Sequence, residues 1–94
     1  MTSIRDIINL EPKCCEFAGI PFKLRRPSAA DLIDALAYAR DNPDATLAWM
    51  CWRHCLDNEG NLLFATIDAA MNADADFIVR VGKMAEAMYG EGRD

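Results

Sequence analysis

The sequence predicts a small, mostly α-helical domain of three to four helices with a short β-hairpin near its N-terminus. Its 94 residues, of which 52% are hydrophobic, suffice for one core, and a chain of this length buries roughly 60 to 65% of its unfolded surface. Apolar residues recur at helical spacing through most of the segment 28–90, and charged residues alternate with apolar ones within 13–26. We therefore expect one domain over residues 1–94, with a hairpin region at about 13–26, a helical body at about 28–90 and a flexible tail at 91–94.

The elements that precede the helical body are short. Ser3 can cap a brief amphipathic turn, which Pro12 ends. Two extended runs then lie on either side of Ala18 and Gly19 in "KCCEFAGIPFKLRRP". Two such runs, separated by small turn residues, are typical of a hairpin.

The second extended run has one apolar and one charged face. Phe22 and Leu24 alternate with Lys23 and Arg25, so one face can be buried while the other carries charge. Pro21 indicates an edge strand, because proline has no N–H to donate to a neighbouring strand.

The first long helix is predicted to begin after Ser28. Asp31 follows Ser28 by three residues, which is a variant of the capping box. Leu32, Ile33 and Leu36 then recur at helical spacing. This helix is therefore amphipathic.

A second helix is predicted from Pro43 to about Leu56, with Asp41 or Asn42 as its cap. Its apolar residues extend nearly all the way round: Leu47, Met50, Cys51 and Cys55 form one stripe, and Ala48, Trp49, Trp52 and Leu56 cover most of the remainder. This pattern is expected for a central helix or for one that serves a partner surface.

The last third of the chain is predicted to contain a turn and two further helical segments. "LDNEGNLLFA" indicates a turn followed by an extended piece, and Thr66 can cap the short segment "IDAAMN". Asn72 or Asp74 can cap a final helix that Gly90 stops. The apolar stripe of that helix consists of Phe77, Ile78, Val81, Met84, Ala85 and Met88.

Cys51, His54 and Cys55 form the cluster most suggestive of chemistry. A helix would bring these three residues to one face, and Cys14 or Cys15 could supply a fourth metal ligand. However, structural zinc sites usually pair cysteines on a CxxC knuckle, whereas these cysteines occupy stripe positions that a small hydrophobic residue would fill. We predict no metal, no cofactor and no enzymatic activity. The alternative is a small metal-binding or thiol enzyme that uses these three residues.

Charge and hydropathy limit the classes of partner. The net charge of −5 disfavours a general role on nucleic acid or on anionic membrane, because either would repel the protein. The N-terminus lacks the apolar region of a secretory signal, and no run approaches the roughly 18 apolar residues of a membrane span. We expect a cytoplasmic protein whose four cysteines remain free thiols.

Two sets of residues are candidates for binding a partner. Tryptophan anchors interfaces and flexible methionine adapts to varied apolar partners, so the first set is Trp49, Met50, Trp52, Met71, Met84 and Met88. We expect these residues to contribute to a contiguous exposed apolar patch, because one small domain offers limited interior in which to hide them, although each could equally belong to an ordinary core. The second set is basic and consists of Lys23, Arg25 and Arg26, which could contact an acidic partner or form a solvated strand face.

The order of these parts resembles the small tail assembly chaperones of long-tailed bacteriophages and prophages. In that family a strand ending in a basic residue leads through a Ser-capped turn into a helix, and an "l-D-x-x-G-x-x-l-F" segment and a C-terminal helix follow. The similarity extends over about Gly19 to Gly90. The matching positions are Leu24, Arg25, Ser28, Leu56, Asp57, Gly60, Leu63 and Phe64.

The resemblance implies a non-enzymatic role in the cytoplasm of a bacterial host. Such a chaperone keeps the helix-rich tape measure protein soluble while the tail tube assembles around it, so the tape measure protein is the expected partner. The tail tube protein and a second copy of this chain are further candidate partners. The adjacent Cys14 and Cys15 and the Cys-His-Cys cluster depart from the family pattern. A small regulatory adaptor unrelated to phage is the remaining alternative.

Overall fold

The chain folds as a mostly α-helical domain with a three-stranded antiparallel sheet, which confirms the predicted fold class. The computed structural model describes residues 3–8 and 10–90, so the predicted flexible tail at 91–94 lies outside the described residues. A short 3₁₀ turn, Pro43–Ala45, leads into helix α3. The other elements are α1 (Ile4–Ile7), β1 (Lys13–Phe17), β2 (Ile20–Leu24), α2 (Ala29–Asp41), α3 (Thr46–His54), β3 (Cys55–Leu56), α4 (Ile67–Met71) and α5 (Ala75–Tyr89).

The sheet has the order β1-β2-β3, with β2 in the centre. Ala18 and Gly19 both have positive φ, which is the backbone that a two-residue hairpin turn requires. The prediction that β2 is an edge strand is therefore wrong, but β3 pairs only with Lys23 and Leu24. Pro21 lies beyond the end of β3, so its missing N–H leaves no bond of that ladder unmade.

Helix α3 is the central helix of the domain and packs most extensively against α5 and α4. It ends at His54 rather than at the predicted Leu56. Cys55 and Leu56 instead form β3, where they lie opposite Leu24 and Lys23 of β2. The sheet offers these two residues backbone partners that compete with continuation of the helix.

Three helix caps follow the local sequence signals, but the cap predicted for the second helix is wrong: Asn42 precedes the 3₁₀ turn without a side-chain cap bond, and α3 begins only at Thr46. Ser28 and Asp31 form a capping box at the start of α2, Thr66 caps α4, and Asp74 rather than Asn72 caps α5. Each of these side chains accepts a hydrogen bond from a backbone N–H that has no partner within the helix. Gly90 is the C-terminal cap of α5, as predicted.

Helix α2 contacts the rest of the domain with its less apolar side. Asp31 and Ala35 are its buried residues, whereas the stripe of Leu32, Ile33 and Leu36 is exposed. An amphipathic helix normally turns such a stripe toward the core. In this protein Asp31 binds two arginines from neighbouring elements, and that contact fixes the opposite side of α2 against the domain.

Candidate functional site

Trp49, Met50 and Met88 belong to the hydrophobic core. The prediction that these three residues contribute to an exposed apolar surface is therefore wrong. Helices α4 and α5, together with the sheet and α2, surround α3 and cover the side chains that make it apolar on every side. A buried side chain cannot contact a partner unless the domain rearranges.

The other three candidates of the apolar set lie at separate places. Trp52 is half-buried in a groove of about 370 Å³ between α2 and α3, with the guanidinium of Arg53 5.5 Å from its ring centre. Met71 is exposed and lines a second groove, of about 280 Å³, at the end of α4. Met84 is exposed on α5 and lines neither groove. These residues do not form the single patch that the sequence predicted.

Two of the three basic candidates, Arg25 and Arg26, have structural partners. Arg25 donates two hydrogen bonds to the Asp31 carboxylate, at 2.7 and 3.0 Å, and its Nε donates to the backbone carbonyl of Arg53 at 3.1 Å. Nε of Arg26 donates to the carbonyl of Glu11 at 2.9 Å. Lys23 is half-buried on β2. At least Arg25 therefore serves the fold rather than a free basic surface.

Asp31 connects the hairpin, α2 and α3. Besides the two bonds from Arg25, its carboxylate accepts hydrogen bonds from the Ser28 backbone N–H at 2.8 Å and from an Arg53 nitrogen at 2.9 Å. Burial works to raise the pKa of Asp31, but the bonds from Arg25, Ser28 and Arg53 together lower that pKa well below its usual value. The carboxylate is therefore charged at neutral pH.

His54 is fully buried and uses both ring nitrogens. Because a carbonyl can only accept, Nδ1–H donates to the backbone oxygen of Arg25 at 2.7 Å, and Nε2 then accepts from the Tyr89 hydroxyl. Burial lowers the pKa of His54 to about 4, and burial also raises the pKa of Tyr89 to about 12. This neutral imidazole has no lone pair left for a metal ion or for a thiol proton.

Cys51 and Cys55, which lie close to His54 in the sequence, are fully buried and serve as packing residues. The Cys51 thiol contacts the carbonyl of Ile78 at 3.7 Å, and the contact with Cys51 together with burial raises the pKa of Cys55. A protonated, inaccessible thiol is a poor nucleophile and a poor ligand. All four cysteines are free. Within the described residues, no three His, Cys, Asp or Glu side chains are grouped so that they could hold a metal ion.

The apolar stripe of α2, which we call the α2 face, is an exposed apolar surface on a 13-residue helix. Leu32, Ile33 and Leu36 are 45%, 67% and 66% exposed. Residues at these spacings lie on one side of a helix. The helical period already identified the stripe in the sequence, but only the packing of Asp31 showed that it faces outward.

A second apolar surface, which we call the hairpin groove, lies at the tip of the β1–β2 hairpin. It has a volume of about 560 Å³. Its walls come from the hairpin, from the turn after β3 and from the start of α5. Its lining residues are Phe17, Ile20, Pro21, Phe22, Asp57, Asn58, Glu59, Leu63 and Phe77. The groove has no signal in the sequence, because it depends on contacts between segments that are far apart in the chain.

Comparisons with protein-family models, with curated proteins and with solved structures found no match to this chain. Among the helices of the described residues, none combines the length and the apolar character that crossing a membrane requires.

Proposed function

We propose that this protein is a phage tail assembly chaperone that binds apolar helical segments of the tape measure protein and keeps that protein soluble. The sequence resemblance supplies the identity of the partner. The observation that carries the binding role is the α2 face, where three large aliphatic side chains of one 13-residue helix point away from the core.

The α2 face suits a helical partner. Leu32, Ile33 and Leu36 form a short ridge, and a ridge of this kind packs between the side chains of another amphipathic helix. Full burial of one such side chain contributes about 1.5 to 3 kcal/mol, part of which offsets the entropy lost on association. A long helical partner would otherwise aggregate through its own apolar stripes. Covering those stripes reversibly is the function of a chaperone.

The test is co-expression with the tape measure protein of the same phage, followed by measurement of the soluble partner. The double variant Ile33→Ser/Leu36→Ser should lower the soluble yield strongly, because it removes two of the three side chains of the α2 face. The control is Ile4→Ser/Ile8→Ser, which changes residues on or next to α1 that are 70% and 67% exposed. The control should keep the wild-type yield.

An equal soluble yield with the α2 variant and with wild type would contradict the proposal, provided that both melt at similar temperatures. The oligomeric state should be measured in parallel, since the same face could pair two copies of this chain. A dimer that only the α2 variant loses, with no change in partner solubility, would assign the α2 face to self-association.

A further inference from the structure

We propose that the hairpin groove binds a short segment of a partner protein in which a bulky apolar side chain stands beside Lys or Arg. This site is separate from the α2 face and does not depend on the function proposed for that face. The inference rests on the shape of the groove, on its aromatic floor and on the charge of its rim.

The groove exists because β3 pairs with only part of β2. Strand β3 pairs with Lys23 and Leu24 only, while β2 continues to Ile20. After Leu56 the chain turns away, and the Asp57 carboxylate holds this turn by accepting hydrogen bonds from the N–H groups of Glu59 and Asn61 at 2.8 and 3.0 Å. The gap is therefore bounded by a hydrogen-bonded turn and a paired strand, and it is formed before any ligand arrives.

The floor of the groove is aromatic. The rings of Phe17 and Phe77 meet edge to face with centres 5.0 Å apart, and the ring of Phe22 lies 6.0 Å from that of Phe77. Ile20 stands on the same side of the hairpin as Phe22, yet it is 68% exposed whereas Phe22 is buried. A cavity of about 560 Å³ is within the range of ligand sites, so an inserted apolar side chain can be largely buried.

The rim of the groove is acidic. Asp57 and Glu59 line it, and among the residues that the structure describes no Lys, Arg or His does. Hydrogen bonds from backbone N–H groups, chiefly that of Asn61, lower the pKa of Asp57. This carboxylate is therefore charged at neutral pH. Glu59 is exposed on the same turn. Two carboxylates beside an apolar floor favour a ligand that combines an apolar anchor with a neighbouring cation.

Two other occupants are disfavoured, one by charge and one by backbone hydrogen bonding. A second copy of this chain would bring a net charge of −5 toward an acidic rim, which disfavours a symmetric pairing through the groove. An added β-strand would need donors along the unpaired part of β2, but Pro21 stands there without an N–H. The groove therefore recognises side chains rather than an extended backbone.

The test is a binding titration, followed by fluorescence anisotropy, with the labelled peptide Gly-Lys-Leu-Phe-Lys-Gly. Two matched peptides replace both lysines by Glu or both apolar residues by Ser. We expect saturable binding of the first peptide, weaker at high salt, and at least about tenfold weaker binding of either matched peptide, because each lacks one of the two recognised features. Equal binding of all three peptides, or none by the first, would overturn the proposal.

Variants locate the site. Ile20→Ser should weaken binding about tenfold and Glu59→Lys about fivefold. Two controls should leave binding unchanged: Ile4→Ser changes a side chain with similar exposure, and Glu86→Lys makes the same change in net charge on α5. If each control weakens binding as much as its groove counterpart, the peptide binds elsewhere and the proposal is wrong. A dimer of the free protein that Ile20→Ser abolishes would assign the groove to a second copy and also overturn it.

Discussion

At the scale of single residues, the polar groups buried around Asp31 and His54 connect elements that lie far apart in the chain. Asp31 holds Arg25 and Arg53, and His54 joins the Arg25 carbonyl to Tyr89 of α5. No buried side-chain nitrogen or oxygen among the described residues lacks a hydrogen-bond partner. Buried polar groups that are fully paired restrict the core to one arrangement, because any shift would leave a desolvated group unpaired.

The state of His54 makes the stability of the protein depend on pH. Its folded pKa of about 4 lies below the ordinary value of about 6.5, so the unfolded chain binds the proton more tightly and acid favours unfolding. We expect the free energy of unfolding to be at its full value above about pH 6.5 and to fall by at most about 3 kcal/mol as the pH decreases to about 4. Protonation of Asp31, whose pKa is also lowered, should remove further stability at still lower pH.

The measurement for this pH prediction combines two experiments. NMR titration of the ring protons of the chain's one histidine should give a midpoint near 4 in the folded protein. Denaturant titrations between pH 7 and 4.5 should show the matching loss of stability. A midpoint near the ordinary value of about 6.5 would contradict the buried, neutral imidazole.

At the scale of elements, the contact between α3 and α5 depends on one glycine. Gly82 is buried in the middle of α5, and a Cβ at this position would lie only 2.9 Å from the carbonyl oxygen of Leu47. Helix interiors normally disfavour glycine by about 1 kcal/mol relative to alanine. Glycine is used here because the two helix backbones approach too closely for any side chain.

Gly82→Ala should therefore destabilise the protein despite the better helix propensity of alanine. Overpacking of a close contact typically costs about 1 to 3 kcal/mol, so we expect a net loss of about 1 to 2 kcal/mol, measured as the denaturant midpoint. Gly90→Ala is the control, since the nearest atom to its Cβ would be 3.9 Å away. If Gly82→Ala is as stable as wild type, the two helices can separate at no cost and the contact is not important.

At the scale of the whole molecule, one hydrophobic core joins the sheet, α3, α4 and α5 with part of α2. The sheet packs over α3, and α3 lies between α2, α4 and α5. Cys51 and Cys55 are buried in this core, whereas Cys14 is exposed and Cys15 is half-buried on β1. The reactivity of Cys51 and Cys55 therefore measures how often the core opens, and Cys14 serves as an accessible reference.

Alkylation of the native protein should modify Cys14 quickly and Cys15 more slowly, because burial raises the pKa of Cys15 and only the thiolate reacts. Cys51 and Cys55 should react only as fast as the domain unfolds. After denaturation without reductant, mass spectrometry should find four modified cysteines, since all four are free thiols. Rapid native modification of Cys51 would show that the core opens locally.

Features that depend on neighbours in the chain could be predicted from the sequence. The caps at Ser28 and Thr66, the turn at Ala18 and Gly19, and the mostly helical class were all predictable, and the cap of α5 was predictable as either Asn72 or Asp74. A cap joins a side chain to a backbone N–H three residues later, so its energy involves one short segment and its signal is present in the sequence of that segment.

Which faces are covered and which remain open depends on packing between distant segments. Asp31 turns α2 by binding Arg53, which lies 22 residues away, and β2 ends α3 by pairing with Cys55 and Leu56. The same long-range packing buries Trp49, Met50 and Met88 and leaves the α2 face and the hairpin groove exposed. A hydrophobic pattern states that a side chain favours burial, but whether it is buried depends on segments that the pattern does not contain.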